Sequence, residues 1–174
     1  NIERELLKRG ATVIRMPSHS TCEEILAQKP DAIMLSNGPG DPEEAQGVIA
    51  ELKKLSAHKL PTFGICLGHQ LLALSHGFKT FKLKYGHRGA NQPARDLVTD
   101  RIFITSQNHG YAVDPSTIDA NVAKERFINS NDGTCEGIDY VNEPTFSVQF
   151  HPEACGGPKD TAYLFDRFFD MMEV

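Results

Sequence analysis

Long apolar runs are absent from this chain. No stretch approaches the ~20 residues that a membrane-spanning helix needs. Runs of basic residues are missing too: Lys and Arg never occur more than two together, and the formal net charge is −5. Nucleic acid and anionic membrane surfaces are therefore poor matches as main partners. Cysteine is scarce. The four present, Cys22, Cys66, Cys135 and Cys155, show no Cys-x-x-Cys spacing. That argues against a disulfide framework and for a reducing, cytoplasmic setting. Repeats, low-complexity segments and inter-domain linkers are lacking as well. The 174 residues (19.2 kDa) are expected to form one domain, 1–174, with a full core.

What is present alternates. Helical patterning at Asn1–Arg9 is stopped by Gly10, and Thr12–Met16 reads as a strand ended by Pro17. A short helix is predicted over Thr21–Gln28, and a buried parallel strand over Ala32–Leu35. Pro42–Ser56 reads as a helix with Val48, Ile49, Leu52 and Leu55 on one face. An apolar strand at Pro61–Ile65 and a helix at Gly68–His76 follow. This βαβα order predicts an open, mostly parallel α/β sheet with right-handed crossovers and helices on both faces. Beyond Gly77 the pattern shifts to short strands at Thr80–Leu83, Ile102–Thr105, Ala123–Arg126, Gly137–Tyr140 and Phe146–Phe150, then an amphipathic helix over Pro158–Met172. The charges at Glu51–Lys54 and Asp96–Arg101 read as solvated surface. Phe165, Phe168 and Phe169 read as helix-spaced core. Sheets of this type open on a strand, whereas this chain opens on a helix. The expectation is a fragment whose native chain continues upstream, with an apolar strand immediately before Asn1 and a further domain before that.

Loops at the carboxyl edge of such a sheet build sites, and three here are chemically loaded. Thr62-Phe63-Gly64-Ile65-Cys66-Leu67-Gly68-His69-Gln70 places Cys66 between a strand and a helix with glycine on either side, as a nucleophile elbow does. The helix directs free N–H groups and its positive dipole end at the sulfur, favouring thiolate. Phe150-His151-Pro152-Glu153 carries a base and a carboxylate at i and i+2, a spacing that points both to one side of an extended segment. Cysteine, base and orienting carboxylate make an activated nucleophile. The third loop is Ser36-Asn37-Gly38-Pro39-Gly40-Asp41-Pro42. Its glycines admit close backbone approach, so amides of Gly38 and Leu67 are candidates to hold a developing oxyanion. It lacks the Gly-Lys-Ser/Thr ending of a phosphate loop. Each element also has a plain reading: Cys66 as a small core residue, His-Pro-Glu as a strand-end turn, and the glycine loop as a helix start. A metal site from Cys66, His69, His151 and Cys155 matches no zinc spacing.

Taken together, Gly64–Gln70 and His151-Pro152-Glu153, 85 residues from cysteine to histidine, resemble the class I (triad) glutamine amidotransferases. Leu35–Pro42, Lys84–Pro93, Gln107–Asp114 and the tail Pro158–Phe169 are similar to one branch, the small, glutaminase subunit of carbamoyl phosphate synthetase. Relatives serving anthranilate or GMP synthesis share the triad but usually differ in the Gly86 and Asn108 segments. The resemblance implies a flavodoxin-like glutaminase domain with Cys66 as nucleophile, His151 as acid/base and Glu153 as orienter. It implies that Gly38 and Leu67 form the oxyanion hole and that Gly40, Gln70, Asn108, Gly110 and Tyr111 hold L-glutamine. It further implies a carbamoyl phosphate synthetase large subunit, or fused synthetase domains, as partner. Cofactors are expected only there, as ATP and magnesium. Tyr111 stands where phenylalanine is common and Cys155 where serine is common. Competing readings are a cysteine hydrolase of γ-glutamyl or peptide substrates, and a catalytically weak regulatory or interaction domain.

Overall fold

The computed structural model describes residues 1–154 and 160–172. Among these, seven strands form one open sheet in the order β1-β2-β7-β6-β5-β3-β4. The strands are β1 (Ile33–Leu35), β2 (Thr62–Ile65), β3 (Thr80–Asp96), β4 (Ile102–Val113), β5 (Ala123–Asn129), β6 (Cys135–Tyr140) and β7 (Thr145–Val148). The helices are α1 (Ile2–Lys8), α2 (Cys22–Ala27), α3 (Gln46–Ser56), α4 (Leu67–Ser75) and α5 (Tyr163–Met172). The expected α/β sheet is present, but its balance differs from the expectation. Parallel pairing is confined to β1-β2-β7, and the remaining pairs are antiparallel, so the sheet is mixed. Short hairpin-type links after α4 allow antiparallel neighbours, whereas the crossovers through α3 and α4 do not.

The sheet is covered on both faces. Phe63 and Ile65 of β2 lie beside Phe146 and Val148 of β7 and pack under Leu6 of α1 and Leu164, Phe165 and Phe168 of α5. Phe63 stacks on Phe146 with ring centroids 4.3 Å apart and meets Phe165 edge-on at 5.6 Å. Residues one step along the strands point to the opposite face, where Leu72 and Ala73 of α4 pack on Ile138 and Tyr140. A third cluster joins α2, α3 and α4 through Cys22, Ile49, Leu52 and Leu71. The Phe165/Phe168 stripe is core, as expected, with Phe169 partly buried against it.

Local chemistry explains the boundaries. Thr21 caps α2 in a reciprocal capping box with Glu24. The single helix expected over Pro42–Ser56 is divided: Asp41 caps a 3-10 turn at Pro42–Glu44, and Ala45 (φ −91°, ψ 50°) breaks the path before α3. Thr12–Met16 is not a strand. It runs without ladder partners among the described residues, with Ile14 52% exposed. β1 is an edge of the sheet, pairing only with β2 among the described residues. The strands expected at Thr80–Leu83 and Ile102–Thr105 are the ends of a much longer hairpin, β3–β4, that continues through Gly86, Gly89 and Pro93 by means of bulges. Asp96, expected on the surface, is buried and pairs with Arg126 at 2.8 Å while accepting the Val98 N–H. Cys155 and the Pro158 start of the last helix lie outside the described residues. No helix among the described residues is long and apolar enough to cross a membrane.

The β2–α4 junction is pressed backbone to backbone against β1. A Cβ on Gly68 would lie 2.4 Å from the Leu35 carbonyl oxygen and 2.7 Å from Leu35 Cβ, and one on Gly64 would lie 2.9 Å from the Gly68 backbone. Backbone cannot retreat as a flexible side chain can. Gly68→Ala is expected to destabilise the fold by about 1–3 kcal/mol or more through overpacking, read as a lower denaturant midpoint. Gly47→Ala, where an added Cβ meets nothing within 4 Å, is the matched control.

Candidate active site

Cys66 stands at the end of β2 as the N-cap of α4 with φ 55° and ψ −107°, a region that side chains rarely adopt. Gly64 and Gly68 make that turn possible by letting helix and strand approach. The Cys66 N–H donates to the Val148 carbonyl at 2.9 Å, tying the turn to the end of β7. The side chain is buried, 4% exposed. Leu67 opens the first turn of α4, where N–H groups have no intrahelical partner. Gly38 lies directly against it: a Cβ there would be 2.8 Å from Leu67 Cδ2. The loop after β1 and the N-terminus of α4 thus flank the sulfur together.

His151 and Glu153 follow the end of β7. Glu153 Oε1 is 2.7 Å from His151 Nδ1, and the ring also hydrogen-bonds the Cys66 side chain. The His151 N–H holds the segment down by donating to the Ser106 carbonyl at 2.9 Å. Burial pulls the imidazole toward neutrality. The hydrogen bonds to Cys66 and Glu153 outweigh it and hold its pKa up at about 10. Glu153 is buried, 7% exposed, so its charge acts on the ring with little screening.

Over Cys66 lies a cleft of about 360 Å³ lined by Gly38, Gly40, Gln70, Asn108, Gly110 and Tyr111. Every residue assigned to substrate holding is in this wall except Leu67, which sits behind Gly38. A second cleft of about 470 Å³ opens on His151 and Glu153 from the side of Ser36, Asn37 and Ser106, and Asn108 lines both. Gln70 is buried and its amide nitrogen donates to the Tyr111 carbonyl (2.8 Å) and to Gln149 Oε1 (2.9 Å). Gln149 in turn donates to the Cys66 sulfur at 3.6 Å. Sequence reading did not single out Gln149. The signal was available, since 149, 151 and 153 alternate to one side of an extended segment. Lys82, Arg88 and His109 also line the cleft and were likewise not singled out.

His69 is not near a ligand set. It is fully buried, its Nδ1 is 2.7 Å from Ser147 Oγ, and burial depresses its pKa to about 3. The described residues contain one group with metal-like proximity, His87, His109 and Glu136. Three of its four ring nitrogens have partners outside the group, and His87 Nδ1 is shared between Glu136 and His109. His87 contacts Asp132 at 2.7 Å and Glu136 at 3.3 Å, while His109 contacts the Tyr111 carbonyl at 2.8 Å and the Gln107 amide at 2.7 Å. The geometry is that of a hydrogen-bonded support beneath Tyr111. The Glu136 hydrogen bond outweighs burial and, with Asp132, raises His87 to about 9, whereas burial lowers His109 to about 4.

The family model for "Glutamine amidotransferase class-I" matches residues 1–171. The chain belongs to this family. It is 53% identical over 172 residues to the carbamoyl phosphate synthase small chain of Staphylococcus saprophyticus, covering 99% of this chain and 47% of that one. It is 50% identical over 171 residues to the carbamoyl phosphate synthase small chain of Methanopyrus kandleri, covering 98% and 47%. The chain thus spans about half the length of the curated relatives it matches. A solved Thermoplasma acidophilum structure, described as one of the subunits of a GMP synthase, superposes with TM-score 0.84 at 20% identity, covering 98% of this chain and 85% of that one. That likeness concerns the fold.

These histidines define a pH profile. His151 and His87 are raised to about 10 and about 9. Their contribution to stability is complete below the unfolded pKa of about 6.5 and is lost as pH rises through those values. His69 and His109 are depressed to about 3 and about 4, so their contribution is present above about 6.5 and is lost as pH falls through those values. Denaturant midpoints measured from pH 4 to 10 should peak near the ordinary histidine pKa. His87→Gln should flatten the alkaline limb, and an unchanged limb would contradict the assignment of His87.

Proposed function

We propose that this chain is a glutaminase domain that hydrolyses L-glutamine to glutamate and ammonia through a thioester on Cys66. The observation that carries the reading is the relay Glu153–His151–Cys66, with the sulfur held in a strained elbow beside Gly38 and the first turn of α4.

Chemistry follows from that arrangement. In the resting pair the thiol proton sits on His151 as an imidazolium held by Glu153, and the thiolate so formed attacks the γ-carboxamide carbon. The amides of Gly38 and Leu67 receive the oxyanion; a lost donor in such a hole typically costs ~2.7–4 kcal/mol. Nε2 then gives its proton to the departing ammonia. Neutral His151 activates water, which attacks the γ-glutamyl thioester and releases glutamate and the thiol. Gln149, donating to the sulfur, steadies the thiolate in each half-reaction. Tyr111, Gly40 and Asn108 enclose the substrate chain.

Similarity to carbamoyl phosphate synthase small chains supports a narrower reading. Ammonia released here would pass to a synthetase partner, a large subunit or fused domains carrying ATP and magnesium, for carbamoyl phosphate synthesis serving pyrimidine or arginine formation in the cytoplasm.

The test uses the full-length protein with its candidate synthetase. Cys66→Ser should abolish carbamoyl phosphate formation from glutamine and leave formation from added ammonium intact. His151→Asn should lower glutamine hydrolysis by roughly 10²–10⁴-fold. Hydrolysis that survives Cys66→Ser in a folded protein would end the nucleophile assignment. Equal or faster turnover of γ-glutamyl peptides, without stimulation by the synthetase, would favour the hydrolase reading instead.

A further inference from the structure

Beneath Tyr111 lies a buried polar cluster that the reaction steps do not use. Gln107, His109 and Asn129 are buried, and Glu136 is 0% exposed. The cluster connects to the sulfur without a break. Glu136 Oε2 is 2.7 Å from one end of the Gln107 amide, and His109 Nε2 is 2.7 Å from the other. His109 Nδ1 meets the Tyr111 carbonyl at 2.8 Å. The same carbonyl receives the Gln70 amide, which also donates to Gln149, the donor to Cys66. Glu136 serves this path a second time through its backbone carbonyl, which accepts the Gln149 N–H at 2.8 Å.

A neutral imidazole and an ionised carboxylate do not complete this path. A backbone carbonyl only accepts, so His109 Nδ1 carries hydrogen and, in the neutral ring, Nε2 is a bare lone pair. It faces Gln107 Oε1, a second acceptor, at 2.7 Å. Turning the amide over only moves the conflict. Its NH2 then serves His109, and its oxygen faces the Glu136 carboxylate, acceptor against acceptor again. One added proton resolves either arrangement, on His109 Nε2 in the first and on Glu136 Oε2 in the second. Burial lowers His109 and raises Glu136, which favours the second. The Thr105 hydroxyl serves whichever end of the amide faces it, lying 3.1 Å from the amide and 2.7 Å from the Gln92 carbonyl. The charged groups around the unit are His87 and Asp132 beside Glu136, and His87, His151 and Arg88 around His109. None of them removes the conflict. His87 Nδ1 and the Asn129 amide reach Glu136 Oε1, at 3.3 and 3.4 Å, and not Oε2. His87 Nδ1 is also 3.3 Å from His109 Nε2, but the Gln107 amide is closer.

We propose that one proton held between His109 and Glu136, through the Gln107 amide, is a built-in part of the site, and that Glu136 and Gln107 are positioning residues for the reaction. With that proton, every link from Glu136 to the Tyr111 carbonyl pairs a donor with an acceptor. Without it one link repels, at the cost of a buried polar group left unpaired. The path then shifts, and with it the carbonyl that fixes Gln70 in the cleft wall. The inference rests on the glutaminase reading and adds to it two residues that act through others.

The experiment measures KM for L-glutamine from neutral to alkaline pH on the full-length protein with its synthetase. In the unsubstituted protein KM should rise at alkaline pH, as the shared proton is lost. Glu136→Leu removes the donor altogether and should raise KM about tenfold at neutral pH, the size of one buried hydrogen bond left unmade. Glu136→Gln keeps a donor at that place but has no proton to lose. It should rescue most of the Glu136→Leu defect and abolish the alkaline rise. If Glu136→Gln weakens glutamine as much as Glu136→Leu does, the charge of Glu136 is what matters and the inference falls. If its KM still rises at alkaline pH, unmoved or displaced, the proton belongs to another group, such as His87 or His151, and the inference falls. A flat profile in the unsubstituted protein, or a folded Glu136→Leu with unchanged KM, overturns it as well. Should Glu136→Leu not fold, Glu136→Gln against the unsubstituted protein decides alone. In all these cases ammonia is still released from glutamine and the glutaminase reading stands. If the unsubstituted protein releases none, that reading fails and takes this inference with it.

Discussion

The contact between the backbone of Leu35 and the first turn of α4 is the constraint on which the site depends. Gly68 sits so close to Leu35 that no side chain fits, and Gly64 sits as close to Gly68. With helix and strand pressed together, the chain has one residue in which to reverse direction, and that residue takes φ 55° and ψ −107°. Such backbone costs on the order of 1–3 kcal/mol and persists only where its surroundings over-determine it. Here they do: β2 is paired on both sides, and the Cys66 N–H is fixed on Val148. The strain holds the residue at the sheet edge, at the helix N-terminus, where it also closes the end of the core cluster of Phe63, Ile65 and Val148.

Parallel pairing of β2 with β7 then decides what the sulfur meets. Parallel neighbours end at the same edge, so the residues after Val148 emerge beside the elbow. Gln149, His151 and Glu153 are delivered there from the far end of the chain. Antiparallel β6 and β5 carry no part of this edge. Their role is support, through Glu136 and the His87–His109 cluster that holds the Tyr111 carbonyl in place. Four histidines, three of them buried and His151 partly so, thus settle into two charge states. Those backed by carboxylates, His151 and His87, are held protonated, and those without, His69 and His109, are held neutral.

The β3–β4 hairpin forms the outer wall of the cleft, and its irregularity is its use. Residues 83–86 bulge opposite Gly110, and Arg88 lies close to that glycine.

Much of this was written in the local sequence. The elbow was legible because glycine at 64 and 68 around a cysteine after an apolar run has few other physical uses. Histidine and glutamate at i and i+2 after a strand announce a shared direction. The amphipathic stripe of α5 and the capping box of α2 were legible for the same reason: their physics is contained within a turn or two of chain. The extent of β3 and β4 was not. Gly86, Gly89 and Pro93 are loop formers by propensity, and only pairing with β4 and β5 makes strand of the segment that holds them. Asp96 reads as surface because nothing local reveals that Arg126 will cover it. Thr12–Met16 has strand-like residues but no neighbour, and strand is a property of pairs. The place of Gln149 belongs to the same class, since its partners Cys66 and Gln70 are distant in sequence. Short-range sterics and periodicity fixed the chemistry-bearing turns, whereas hydrogen bonds and charges between remote segments decided which of those turns face one another.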